Sequence, residues 1–277
     1  MNAESPRNIV TTASHGFLTR DGAHPSELLE EAKKQLKKYD TVEYVKGLVA
    51  DISKDEGGFR VRTDDGRILD TKRLIIATGY KDNLDKCNLK GLEKVYGKSV
   101  YPCPFCDGWE HRDQKLALFG GGKFIGEFAK VIGNWSKDVI IFTNGDTSAP
   151  KEAKEVFKKG GINFEERKIR QLNSDSNGVL IDIELEDGTK IEREAGFLMD
   201  THEEPATNFA ITLGVKTKEN DWGMEALDVG ESGETNVDGL YIVGDAKAGF
   251  NGLISAAKEG AVCSEGIVHA RIAERWS

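Results

Sequence analysis

Cysteine is scarce in this chain: four residues among 277 are too few for a disulfide scaffold, so only their spacing gives them meaning. Six prolines are few as well, and with 31 glycines scattered along the chain they exclude collagen-like, proline-rich and disordered material. Positive charge is in deficit, 38 Lys and Arg against 47 Asp and Glu, and the net charge of -9 offers nothing to attract DNA, RNA or an anionic membrane surface. No apolar run approaches the roughly 20 residues of a membrane span. The opening MNAESPRNIVTTASHG has no basic-then-apolar signal layout, so the expected location is cytoplasmic. What remains is an ordinary globular composition, 38% apolar, at a length that suits one large domain or two modest ones.

Periodicity divides the chain. Residues 26 to 39, SELLEEAKKQLKKY, put Leu28, Leu29, Ala32 and Leu36 on one helical stripe behind Ser26 as N-cap. Then VEYVKGLVADI, FRVRT, RILDT and RLIIATGY alternate or run apolar between turns, which predicts short strands and hairpins. From Lys115 the pattern becomes strand, glycine loop, helix and strand (KLALFGGG, FIGEFAKVIGNW, DVIIFTNG), a βαβ unit. A helix (APKEAKEVFKKGG), the strand INFEER, the hairpin VLIDIELEDGTKIE and the strand AGFLMD continue it. GLYIVGDA is a strand into a Gly-Asp turn, followed by a long helix expected to bury Ala256, Ala257, Ala261, Ile267 and Ile272.

Four stretches carry chemistry. Cys103 and Cys106 form a C-P-F-C pair followed by Asp107 and Gly108, where two sulfurs close a small ring, one thiol's pKa falls, and Asp107 moves a proton during thiol–disulfide exchange. The competing readings are two unpaired core thiols or half a zinc site, for which His111 has the wrong spacing, and no metal is expected. Gly120, Gly121 and Gly122 lie between strand and helix, where backbone N–H groups hold a pyrophosphate; the position for a third small residue is Ile125, and Gly126 comes one residue late. The strand that follows ends in Thr143, Asn144 and Asp146 with no arginine for a 2′-phosphate, so a βαβ unit kept as scaffold is the alternative. Thr78 and Gly79 of LIIATGY, and Gly244 and Asp245 of GLYIVGDA, end apolar strands where backbone and a carboxylate meet a dinucleotide, although either stretch alone reads equally as a turn.

Taken in order, A-T-G, C-x-x-C-D-G, G-G-G and V-G-D-A resemble the low-molecular-weight thioredoxin reductase family over nearly the whole chain. H-G-F-L-T-R-D-G, C-P-F-C-D-G-W-E and F-T-N-G look more closely like the branch that includes the gliotoxin and holomycin dithiol oxidases. The resemblance implies an α/β protein with two Rossmann-like three-layer domains, FAD in the first, NADPH in the second, and a homodimer acting on a thioredoxin-like protein or a small dithiol. The expected division is FAD-binding residues 1–99 and 237–277 around an NAD(P)-binding-like domain at 100–236. It implies Cys106 as the thiol nearest the flavin, Cys103 as the one that meets substrate, Asp107 as acid and base, Asp245 as an FAD ligand, and Gly79 and Gly244 as points of backbone access. Cys87, Cys263, His15 and His202 receive no role, and His111 with Arg112 reads as a solvated turn.

Three departures stand out. Family members open with a strand, a G-x-G-x-x-G loop and a helix, a unit of roughly 30 to 35 residues that the opening MNAESPRN does not include, so the first domain is expected to be incomplete. An arginine cluster after Ile141 is missing, which favours oxygen or another partner over NADPH, and Gly252 stands where a Gln is frequent. The functions in play are a flavin-dependent disulfide reductase, a dithiol oxidase that uses O₂ without NADPH, and a non-catalytic remnant.

Overall fold

The computed structural model describes residues 1–277 apart from 123, 150, 220–224 and 249–251, with backbone alone at 151–153 and 248. Pro150, inside the helix expected after the second strand of the βαβ unit, lies outside the described residues. In chain order come helix α1 (Pro25–Leu36), strands β1 (Val49–Asp55), β2 (Gly58–Thr63), β3 (Ile68–Thr71), β4 (Leu74–Ile76) and β5 (Tyr80–Lys81), α2 (Leu92–Val95), β6 (Val100–Tyr101) and α3 (Pro104–Asp107). Next are β7 (Lys115–Phe119), α4 (Ile125–Trp135), β8 (Asp138–Phe142), α5 (Lys151–Lys159), β9 (Ile162–Glu165), β10 (Ile169–Ser174), β11 (Leu180–Leu185), β12 (Lys190–Glu192), β13 (Ala195–Leu198) and β14 (Glu204–Pro205). The last part holds α6 (Phe209–Thr212), β15 (Thr217–Glu219), β16 (Glu225–Leu227), β17 (Leu240–Ile242), α7 (Asp245–Ala248) and α8 (Leu253–Trp276).

The centre of the molecule is a five-stranded sheet in the order β6-β13-β7-β8-β9, parallel throughout. Parallel strands covered on both faces read as unbroken apolar runs, and Leu116 to Phe119 and Ala195 to Leu198 are buried without interruption. One face packs Leu116, Leu118, Val139 and Ile141 against Ile125, Ala129 and Ile132 of α4 and Phe157 of α5. The other packs Ala117, Phe119 and Phe142 against Leu180, Ile183 and Leu185 of the antiparallel β10–β12 sheet and against Leu92 and Val95 of α2. Helices, parallel sheet and antiparallel sheet thus make a three-layer α/β unit. In a second region β4 pairs with β17 in parallel, Leu240 beside Leu74, over a core of Phe59, Ile76, Val215, Val229, Leu240 and Ile242, flanked by the β1–β3 antiparallel sheet. Both regions are α/β and Rossmann-like. Among the described residues no helix is long and apolar enough to cross a membrane.

Two expectations are corrected. Helix α1 starts two residues early, with Pro25 at its first position and His24 in place of Ser26 as the cap: His24 Nδ1 accepts from Ser26 N at 3.2 Å, and Leu36 is exposed rather than buried. In α8 the buried residue is Cys263, while Ala257, Ala261 and Ile272 face outward. The reason is geometric: apolar residues occur on all sides of α8, so their spacing alone could not say which stripe meets the narrow β4–β17 pair.

The chain passes between the two regions through β5 and β14, which pair antiparallel. This crossing is pinned from far away in sequence. Arg7 grips Asp82 with both arms, at 2.7 and 2.6 Å, and donates to the Tyr80 hydroxyl at 2.6 Å; Tyr96 donates to the same Asp82 at 2.6 Å. Burial alone would raise the Asp82 carboxyl, but the Arg7 guanidinium and the Tyr96 hydroxyl outweigh it and hold it below its ordinary value. Removing one partner of such a covered pair strands the other charge. Arg7→Ala is therefore expected to destabilise the protein by about 3 kcal/mol, read from the midpoint of chemical denaturation; a loss below about 0.5 kcal/mol, typical of a surface change, would show that the pair does not hold the crossing.

Candidate active site

The cysteine pair is shaped by its own short helix. Cys103 is the extended N-cap residue of α3 and Pro104 its first residue, a position where the missing proline N–H costs nothing. The N–H groups of Cys106 and Asp107 turn back to the Cys103 carbonyl at 3.2 and 3.3 Å. One turn of helix brings the two Cα atoms to 5.3 Å, and the sulfurs are bonded to each other. Cys103 is buried and Cys106 half-buried, whereas Phe105 between them is 77% exposed. Behind the pair Gly108 backs onto the Trp135 indole and the Pro104 carbonyl, where a Cβ has no room.

Asp107 closes the turn. Its carboxyl is pushed up from 3.8 to about 7, chiefly by burial, with Glu110 adding to the rise and His15 opposing it. A carboxyl with that affinity exchanges protons near neutrality, as thiol–disulfide chemistry requires. His15 reaches this place on a loop closed by the Ser14–Ala23 bridge and by Gly16 N donating to Asp21 at 2.8 Å. Its Nδ1 lies 3.4 Å from Glu110 and 3.7 Å from Asp21, and among the described residues it has no hydrogen-bond partner. Sequence reasoning passed over His15 and Glu110; the signal available was a histidine leading the H-G-F-L-T-R-D-G turn. His111 stacks its ring against Tyr101 at 5.0 Å and meets Gln114 at 2.9 Å, and Arg112 lies over the Trp109 ring at 4.1 Å. Cys87 is half-buried and Cys263 buried, both thiols pushed up by burial and both outside the cluster.

The remaining predicted residues fall at two strand edges. Thr78 and Gly79 follow β4, and Gly244 and Asp245 follow β17; because these strands are neighbours, two stretches far apart in sequence meet at one carboxyl edge. Gly79 and Gly244 are both left-handed, at φ 70° and 65°, and the space where a Cβ of Gly79 would stand is open. Gly244 N donates to Glu259 at 2.8 Å, Thr78 Oγ1 lies 3.2 Å from Thr207 Oγ1, and Asp245 opens α7. At the carboxyl end of β7, Gly120 lies against Met199 and the Ile125 side chain, so Ile125 fills the space a small third residue would leave. Gly126 faces the Phe157 ring of α5 rather than the strand. Gly121 abuts the Asp146 carboxylate, and Gly122, at φ 75°, donates its N–H to that carboxylate at 2.7 Å.

Residues 4–264 match the sequence profile described as Pyridine nucleotide-disulphide oxidoreductase. A protein of Arthroderma benhamiae named as a thioredoxin reductase is 25% identical over 276 residues, which cover 87% of this chain and 65% of that protein; the chain thus spans just under two thirds of this relative's length. Thioredoxin reductase aclD of Aspergillus oryzae is 28% identical, with 96% of this chain and 86% of that protein covered. The crystal structure of TrxB from Bacillus anthracis, described as a thioredoxin reductase, superposes with a TM-score of 0.91 at 30% identity, covering 99% of this chain and 90% of that one.

Proposed function

The chain belongs to the pyridine nucleotide-disulphide oxidoreductase family, and from that premise we propose that it is an FAD-dependent dithiol–disulfide oxidoreductase of thioredoxin-reductase type, working through Cys103 and Cys106. The observation that carries this is the Cys103–Cys106 bond set one turn before Asp107, a covered carboxyl poised near neutrality. FAD fits the carboxyl edge of β4 and β17: left-handed Gly79 faces open space there, left-handed Gly244 stands beside it without a side chain, and Asp245 brings a carboxylate to the same edge. Bound there, FAD supplies the two-electron carrier that the protein's own side chains lack.

The protein's residues handle sulfur and protons. A substrate thiolate attacks Cys103 Sγ, the Cys103–Cys106 bond breaks, and Cys106 leaves as thiolate; the second substrate thiol then attacks the mixed disulfide and releases Cys103. The substrate leaves as a disulfide and the pair is left as a dithiol, so two electrons and two protons have entered the protein. Asp107 takes a proton from the incoming thiol and returns one to the departing thiolate. In reverse the same steps reduce a thioredoxin-like protein. A homodimer in the cytoplasm, acting on such a protein or on a small dithiol, completes the proposal.

The direction of oxidation has its own support: the β8 end, Thr143 to Asp146, carries no arginine for a nicotinamide nucleotide phosphate. With dioxygen as acceptor the balance is one dithiol plus O₂ giving one disulfide plus hydrogen peroxide. Purified protein loaded with FAD is expected to bleach on adding a dithiol without oxygen and to release peroxide in air without any nicotinamide nucleotide. A flavin spectrum indifferent to dithiol overturns the function; strict dependence on NADPH overturns the oxidase direction.

A further inference from the structure

We infer that the glycine loop of the five-stranded sheet is filled by the chain's own carboxylate, Asp146, which makes Asp146 a selectivity residue that turns dinucleotide diphosphates away. The consequence of this selectivity for electron supply rests on the disulfide reading above.

A strand, a glycine loop and a helix bind diphosphate because the glycines let it touch backbone and their N–H groups point at it. Here that place is taken. Asp146 Oδ2 accepts from Gly122 N at 2.7 Å, and its Oδ1 accepts from Ser148 N at 2.8 Å. The Asp146 carboxylate also lies on the face of Gly121 where a side chain would stand, the face a diphosphate would need. The loop that carries the carboxylate is itself anchored: Thr143 Oγ1 donates to the Asp146 main-chain carbonyl at 2.5 Å, and the Oδ1 of left-handed Asn144 accepts from Ile169 N at 2.9 Å. These two contacts commit the remaining polar side chains at the strand end to the loop's own fold. The hydrogen bonds from Ser148 and Gly122 hold the Asp146 carboxyl below its ordinary value, with Lys154 assisting, so it stays charged at neutral pH. Of the cations among the described residues of the neighbouring elements, Lys154 is paired with Glu166 at 2.5 Å and Arg167 with Glu165 and Asp187 at 2.6 and 2.7 Å, while Lys168 lays its stem along Gly145. A diphosphate arriving at Gly121 and Gly122 would therefore have to displace a fixed negative charge from the N–H it needs.

The test is a calorimetric titration of the purified chain with NADH, with NADPH and with inorganic pyrophosphate, for wild type, Asp146→Asn and Asp146→Ala. Asp146→Asn keeps an oxygen acceptor for Gly122 or Ser148 and removes only the charge, so the loop retains its fold. Removing a like charge at contact distance is expected to tighten binding of all three probes by about tenfold or more, and the gain is expected to shrink as salt is raised. Equal binding by wild type and both variants overturns the inference, as does tight binding of NADPH by wild type. Amide exchange gives a second, ligand-free reading: Gly122 N–H is expected to be protected in wild type and to exchange faster in Asp146→Ala, and an unprotected wild-type amide overturns the seat itself. None of these readings needs turnover, so failure here leaves the thiol chemistry standing, and failure of that chemistry leaves this binding result standing.

Discussion

Cys106→Ser and Cys103→Ser each abolish dithiol turnover, by a factor on the order of 10⁴ or more, the size of loss seen when one member of a concerted catalytic unit is removed. The sulfurs work as a pair, so either change leaves a protein that exchanges once and cannot resolve. The two variants differ in what they trap. Cys106→Ser keeps Cys103, whose thiolate attacks an added disulfide reagent, releases one of its thiols and keeps the other as a mixed disulfide, visible as a stable mass increase that excess dithiol removes. Cys103→Ser keeps Cys106, the leaving sulfur of the proposed exchange, and is expected to retain no adduct of the dithiol substrate. Turnover above a tenth of wild type in either variant sinks the assignment of the pair as the redox centre. Neither side chain carries a structural load comparable to the apolar layers on the two faces of the sheet, so the folded state is expected to survive both changes.

Asp107→Asn has the second largest effect, a loss of about 10² to 10⁴ in rate together with a changed pH profile. In wild type the carboxyl titrates near 7, so oxidation of a dithiol, which needs the base form, is expected to rise with pH through that value. The variant loses this limb and keeps only the titration of the substrate thiol. Stability moves as well. The folded carboxyl holds its proton more tightly than the unfolded one, whose value is near 3.8, so the native state binds more protons between these limits. Wild-type stability therefore falls as pH rises from about 4 to about 7 and is flat above. Asparagine has no proton to lose, and Asp107→Asn should gain stability over wild type at pH 8 relative to pH 4 in thermal melts. A wild-type melt indifferent to pH over this window would show that the carboxyl is not covered. Because His15 opposes the rise, His15→Phe should move the same limb to higher pH while Asp107 still acts.

Much of the fold was legible because it is local. Buried runs at Leu116 to Phe119 and Ala195 to Leu198 announce parallel strands, and the glycine loop after Phe119 announces the turn into α4. The C-P-F-C-D stretch likewise carries its chemistry within five residues, since one helical turn from Cys103 brings the sulfurs together. Where apolar residues fell on all sides, as in α8, spacing pointed to the wrong stripe, because burial there depends on what packs against the helix and not on the helix itself.

By itself the amino-acid sequence determined the α/β class, the order of the four motifs and the closeness of Cys103 and Cys106, all of which rest on neighbours along the chain. Only tertiary structure decided which distant groups meet: His15 and Glu110 beside Asp107, Arg7 clamped on Asp82, and Asp146 seated on Gly122. Periodicity reports which face of an element is apolar, whereas a charge or a hydrogen bond between remote side chains depends on where loops end after the sheets have packed. The raised carboxyl of Asp107 and the carboxylate seated in the glycine loop are products of those meetings.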